Sequence, residues 1–269
     1  MKLVLHNYWR SSASHRVRIG LGLKKLAYDY VVVNIVKREQ HADAYRAKNP
    51  MAQVPTLEIT EDDGTVHALN QSLPILEYLD ERFPEPALQP ADPYGRAKVR
   101  LWIKQLDEDI HDASAAILSF GIAFRHQYLE RGELGKAMLE QIPNVFKRER
   151  RRDVVEKGPQ SKHFVIAVGR MVLLLDEMEE ALSAHQWLAG DDYTLADVAF
   201  TPYLARLEHL NILGMIGERH RVADWYRRCK ARPSFHDAIV KWENADYLGL
   251  MQRRGTESWP QVHAIMQAL

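Results

Sequence analysis

The chain has 269 residues, enough to bury a sizeable core and to form one domain or two. Its 36 Lys and Arg offset 36 Asp and Glu, so no global field points to nucleic acid or to an anionic membrane. A single cysteine, Cys229, excludes an intramolecular disulfide and fits a reducing compartment; with no leader-like segment and no apolar run of membrane-span length, a cytoplasmic protein is expected.

Lys2–His6 alternates as a short strand, and Val17, Ile19, Leu21 and Leu23 carry the apolar load of a following helix that ends near Lys24-Lys25. Between them, Ser11, Ser12 and Ser14 place three hydroxyls within four residues at a strand-to-helix turn. Free backbone N–H groups and the helix dipole favour an anion at such a turn, and a serine there can donate to a bound thiolate. The plainer reading makes the same serines helix caps. Tyr8 offers a phenol beside them or simply packs, and Arg10 and Arg16 either neutralise an acidic ligand or form salt bridges.

Tyr28–Ile35 is β-branched and aromatic, which predicts a buried central strand and, with the helix before it, a parallel βαβ unit. A short helix over His41–Lys48 closes at Asn49-Pro50. Gln53–Ile59 is an apolar strand opened by Val54-Pro55, an X-Pro bond predicted to be cis. Asp62-Asp63-Gly64-Thr65 supplies hairpin chemistry before a strand at Val66–Leu69, and Gln71-Ser72 opens a helix through Phe83. The order βαβαββα defines a small α/β domain over residues 1–83.

Pro84, Pro86 and Pro90 mark residues 84–92 as a linker, and an all-helical domain is expected over 93–269. One long helix is predicted over Tyr94–Ser119 and another over His163–Leu182. Lys147–Arg152 is a charge run, read as a solvated face before an anion or partner patch. Thr194 and Asp197 form a capping box, with Tyr193 and Val198 at the staple positions. Cys229, within Trp225–Cys229, reads as a packing residue. The 12 histidines show no metal spacing, and no Gly-rich phosphate loop appears.

Val54-Pro55, Gln71-Ser72 and the Thr194–Asp197 box occur in the order and spacing of the cytosolic glutathione transferases, which the chain resembles over nearly its whole length. The resemblance implies a thioredoxin-like N-terminal domain, an all-helical C-terminal domain, glutathione as co-substrate, no metal and a homodimer. Ser11–Ile19 and Asn49–Leu57 are similar to the zeta class of maleylacetoacetate isomerases, which carries a cysteine where this chain has Ala13. Leu88–Tyr94 and the stretch to about residue 165 resemble the bacterial glutathione-dependent β-aryl etherases.

A thiol of pKa near 8.5 is only about 3% ionised at pH 7, so the reaction needs an anion stabiliser and firm anchors for the tripeptide. The zeta pattern selects Ser11 as hydroxyl donor, the etherase pattern Ser14, and Ser12 stands in reserve. Main chain flanking Val54-Pro55 would pair with the cysteinyl portion like an added strand. Gln71 and Ser72 would hold the γ-glutamyl end, and Gln40 the glycine end. His111, Ser114, Ala115, Leu118 and Phe124 are expected to meet the second substrate, with Phe120, Tyr128 and Phe146 as covering aromatics. The expected function is a transferase acting on a hydrophobic or aromatic electrophile, by conjugation or thiolytic ether cleavage. The alternatives are a zeta-like cis–trans isomerase and a non-catalytic binding module.

Overall fold

A computed structural model describes all 269 residues. In chain order the elements are β1 (Lys2–Asn7), α1 (Ser12–Leu23), β2 (Asp29–Val32), α2 (Asp43–Arg46), β3 (Thr56–Thr60), β4 (Val66–Asn70) and α3 (Ser72–Arg82). Then follow α4 (Pro93–Gln105), α5 (Ala116–Ser119), α6 (His126–Leu129), α7 (Glu133–Glu140), α8 (Val145–Lys157) and α9 (Lys162–Ala184). The last four are α10 (Leu195–His209), α11 (His220–Lys230), α12 (Pro233–Ala238) and α13 (Ala245–Gln267). The expected βαβαββα order, followed by helices alone, is what the chain adopts.

One compact unit joins Met1–Val99 with Ala189–Pro202 and Arg227–Asn244. Its sheet runs β2-β1-β3-β4, with β1 parallel to β2 and antiparallel to β3, and β3 and β4 forming a hairpin. Gly64, at φ 86°, makes the hairpin turn, and Asp63 Oδ1 accepts from the Thr65 N–H (2.8 Å). Leu3, Leu5, Leu57 and Ile59 from the sheet meet Val17 and Leu21 of α1 and Ile75 and Leu79 of α3 in one core. The segment Tyr28–Ile35 departs from expectation. It yields only β2, at the sheet edge, where Val32 is 57% exposed. Its apolar character serves packing on one side, where Tyr30 stacks on Trp242 at 3.8 Å.

The proline-rich segment separates the sheet from the long helices in sequence, yet compactness assigns two later helical segments to the sheet-bearing unit. The reason is polar as well as apolar. Arg18 of α1 donates to the Ala238 carbonyl at the end of α12 (2.6 Å), and the Leu195 N–H donates to the Leu88 carbonyl (2.8 Å).

The other unit comprises Arg100–Leu188, Tyr203–Tyr226 and Ala245–Leu269. Where one long α-helix was predicted over Tyr94–Ser119, α4 passes into a π-helical stretch, Leu106–Ala115, before α5, and a second follows at Phe120–Phe124. The widened turns show in i→i−5 bonds, Ala116 N–H to His111 O and Arg125 N–H to Phe120 O. Arg170 of α9 fastens the first stretch, donating to Asp109 Oδ2 (2.8 Å) and Gln105 Oε1 (2.7 Å). Such inserted turns recur at functional sites.

The capping box at α10 forms as read. Asp197 Oδ2 accepts from the Thr194 N–H (2.9 Å), and Thr194 Oγ1 accepts from the Ala196 N–H (3.3 Å). Both side chains lie inside the protein, so Asp197→Ala strands a buried N–H. We expect a loss of about 1–3 kcal/mol, read as a lower urea midpoint with unchanged slope.

Candidate functional site

Strand register gathers the expected ligand-holding segments at one end of the sheet. His6 of β1 stands opposite Thr56 of β3, and Thr56 opposite Asn70 of β4. The turn carrying Ser11 leaves β1 at this end, Val54-Pro55 enters β3 there, and Gln71-Ser72 leaves β4 there. Asn7 pairs with Val32, so the chain leading to Gln40 departs from the same end.

Ser11 is the N-cap of α1, with extended backbone (φ −74°, ψ 117°), and its Oγ accepts from the Ser14 N–H (3.2 Å). That bond uses an acceptor site and leaves the hydroxyl proton to be donated. The N–H groups of Ser12 and Ala13 lie in the first turn, where no carbonyl of the helix reaches them. Ser14 has no exposed surface, and its Oγ accepts a long bond (3.5 Å) from the Tyr8 N–H; Ser12 is also buried. Buried groups hold the turn from behind. Arg18 donates to Asn7 Oδ1 (2.6 Å) and to the Trp9 carbonyl (3.0 Å), and a His15 ring nitrogen lies 2.6 Å from that same carbonyl. Burial pushes the Arg18 pKa down to about 10, so the guanidinium stays charged at neutral pH. Tyr8 is buried, in the packing role considered for it.

The Val54-Pro55 bond is cis. No hydrogen bond within the protein uses the main-chain N–H or carbonyl of Val54, so both remain for an extended peptide. The loop is fixed by a network that the sequence did not advertise. Tyr45 Oη and Asn49 Nδ2 both donate to the Gln53 carbonyl (2.5 and 2.8 Å), and Thr56 Oγ1 donates to Asn70 Oδ1 (2.9 Å). Asn49, a helix end and the first residue of the zeta-like stretch in the sequence, holds the loop through its side chain.

Gln71 has φ 72°, a left-handed conformation unfavourable for a side-chain-bearing residue and concentrated at functional sites. Ser72 follows as the first residue of α3, and Arg16 Nη1 donates to its Oγ (2.8 Å). A guanidinium that is only 2% exposed thus stands at the helix start proposed for a carboxylate. Gln40, half-buried after the left-handed Arg38, has its Oε1 enclosed without a hydrogen-bond partner.

In the helical unit, the residues expected to meet the second substrate separate into two groups. Ser114, Ala115 and Leu118 are core: Ser114 Oγ donates to the Ala167 carbonyl of α9 (2.9 Å), and Leu118 has no exposed surface. Their face of the helix packs inward, away from solvent. His111 is half-buried with Nδ1 3.0 Å from Tyr203 Oη. Phe124 is buried, edge-on to Phe120 (5.4 Å), whereas Phe146 is 78% exposed. Cys229 is buried, and burial pushes its thiol well above the ordinary range, consistent with packing. No cluster of three or more His, Cys, Asp or Glu could hold a metal, and no helix is long and apolar enough to cross a membrane.

Residues 5–87 match the family model of the glutathione S-transferase N-terminal domain, and residues 143–228 that of the C-terminal domain. A maleylacetoacetate isomerase of Dictyostelium discoideum is 46% identical over 111 residues, 40% of this chain and 48% of that protein. The chain therefore spans about half the length of such curated relatives. Among solved structures, a glutathione-bound maleylacetoacetate isomerase from Anaeromyxobacter dehalogenans 2CP-1 is 32% identical with a TM-score of 0.63, covering 90% of this chain and 96% of that one. The β-etherase LigF from Sphingobium sp. strain SYK-6 is 26% identical with a TM-score of 0.76, covering 90% and 100%.

Proposed function

This chain belongs to the glutathione S-transferase family, and from that membership we propose that it activates glutathione as a thiolate. The thiolate attacks a hydrophobic or aromatic electrophile, by conjugation or by thiolytic cleavage of an aryl ether. One observation carries the reading: the open main chain of Val54 and the two helix starts at Ser11 and Ser72 leave one end of one sheet.

In this reading the cysteinyl portion pairs with Val54, and the γ-glutamyl carboxylate meets the Ser72 N–H and hydroxyl with Arg16 behind them. Gln71 and Gln40 hold the two ends of the tripeptide. The Ser11 hydroxyl donates to the sulfur, helped by the first-turn N–H groups and the helix dipole. As thiolate the sulfur forms a bond to carbon and the electrophile's leaving group departs with the electron pair. Ser11 is preferred to Ser14 because the Ser14 hydroxyl is enclosed. The helical unit receives the electrophile, with His111 the member of the expected set that retains exposed surface. A homodimer resident in the cytoplasm completes the proposal, supported by family membership and by the single buried thiol.

The isomerase named in the relatives favours a second reading, in which glutathione adds to a double bond and is released unchanged. Ala13 offers no thiol of its own to that chemistry. Thiol consumption separates the two readings across a panel of aryl ethers, activated aryl halides and maleyl compounds. We expect stoichiometric loss of glutathione with an aromatic member. Isomerisation of a maleyl compound at constant thiol, with no aromatic turnover, would replace the first reading by the second.

A further inference from the structure

The charge run of α8 resolves residue by residue. Arg152 pairs with Glu140 (2.9 Å), Arg148 donates to the carbonyls of Glu140 and Ile142, and Lys147 pairs with Asp112 (2.7 Å). Arg151 turns inward. It is 7% exposed, its guanidinium carbon lies 3.4 Å from the centroid of the Phe120 ring, and its Nε is enclosed with no acceptor. It forms no hydrogen bond or ion pair within the protein. Burial lowers its pKa, with the Tyr128 phenol and the Asp112 carboxylate opposing and Arg150 adding to the shift. Asp112 is the one carboxylate among these neighbours, and its Oδ2 is held by Lys147.

An enclosed guanidinium with no hydrogen-bonded counter-ion is costly, and stacking on one ring offsets only part of its lost hydration. Stacking occupies the flat face of the group and leaves its edge N–H donors, whose fork matches a carboxylate. Beside it the rings continue, Phe120 to Tyr128 at 5.8 Å and Phe120 to Phe124 at 5.4 Å, with Phe120 and Tyr128 half-buried.

We propose that Arg151 is a specificity-determining anion site: its guanidinium takes the carboxylate of a planar unsaturated or aromatic second substrate whose apolar face lies along Phe120 and Tyr128. The proposal rests on the reading that the helical unit receives the electrophile, and it narrows that electrophile to an acid.

The test uses two matched pairs, chlorodinitrobenzoate with its methyl ester as electrophiles, and cinnamate with methyl cinnamate as unreactive ligands. Corrected for uncatalysed reactivity, the wild-type protein should favour the acid over the ester by about tenfold or more in kcat/KM, as one charge-assisted pair allows. Arg151→Met should bring that ratio close to one, mainly through KM, and Arg151→Lys should restore part of it. An acid-to-ester ratio near one in the wild type, or one that Arg151→Met leaves unchanged, overturns the proposal while leaving glutathione transfer standing. If neither electrophile reacts with glutathione, the transferase reading fails and the site is read from binding alone. Cinnamate raising the wild-type melting temperature where methyl cinnamate does not then supports it; an equal response overturns it. That comparison needs no variant to fold.

Discussion

Ser11→Ala raises the pKa of bound glutathione by about one to two units, the equivalent of one charge-assisted hydrogen bond of about 1.5–3 kcal/mol. The sign follows from which form the hydroxyl serves. It donates to the thiolate and not to the thiol, so removing it disfavours ionisation and moves the alkaline rise of the pH–rate profile upward. Below both pKa values turnover falls by about 10- to 100-fold, and the two proteins converge at high pH, where the thiol ionises unaided. The same oxygen caps α1 through the Ser14 N–H, so stability also drops, by about 1 kcal/mol. The two effects are separable, because a lost cap alone lowers the melting temperature without displacing the pH profile. Ser14→Ala is the control: a profile displaced there, and not by Ser11→Ala, would transfer the donor role to Ser14.

Asp80→Ala costs about 3–5 kcal/mol of stability, far more than an exposed ion pair would. Lys24 Nζ donates to Asp80 Oδ1 (2.6 Å) and to the Pro86 carbonyl (2.6 Å), and the Lys24 side chain has no exposed surface. Asp80 Oδ1 also accepts from the Leu88 N–H (2.8 Å). Removing the carboxylate leaves an enclosed ammonium with one neutral partner and a buried N–H with none. The pair ties α1 to α3 and to the chain after Pro86, so α1, which carries Ser11, is expected to loosen with it. Replacing both charges, as Lys24→Met with Asp80→Leu, should recover more than half of the loss, since the penalty lies in the uncompensated charge. Urea unfolding of the two variants decides this; a loss below about 1 kcal/mol for Asp80→Ala would show that the pair is solvated.

Fold and site were unequally legible. The order of elements along the chain, the hairpin and the capping box followed from local signals: Asp62-Asp63-Gly64 for the turn, Thr194 and Asp197 for the cap. The edge position of β2 did not, because Tyr28–Ile35 has the composition of a central strand and only the sheet decides how many partners it receives. The π-helical stretches were hidden for a related reason. Val99, Ile103, Leu106 and Ile110 keep an ordinary apolar period that does not reveal the wider turns, and Arg170, which fastens Asp109, lies 61 positions away. Ser114 and Leu118 were expected near the second substrate from their place on the first long helix, and that place does not say which face of the helix is covered. The groups that brace the proposed glutathione site carried no local signal: Asn49 holds Gln53 four positions on with no motif to mark it, and Arg16 reaches Ser72 across 56 positions. Lys147–Arg152 shows the same limit, since one arginine of an apparently solvated run turns inward.

The central claim, that this chain binds glutathione and ionises it, is tested most directly by the thiolate absorbance of glutathione bound to the wild-type protein, titrated against the free thiol. The account predicts saturable binding and a bound thiol ionising at least about one unit below the free one, which raises the thiolate fraction at pH 7 from about 3% to about a quarter or more. Saturable binding with a titration curve superimposed on that of free glutathione would contradict it.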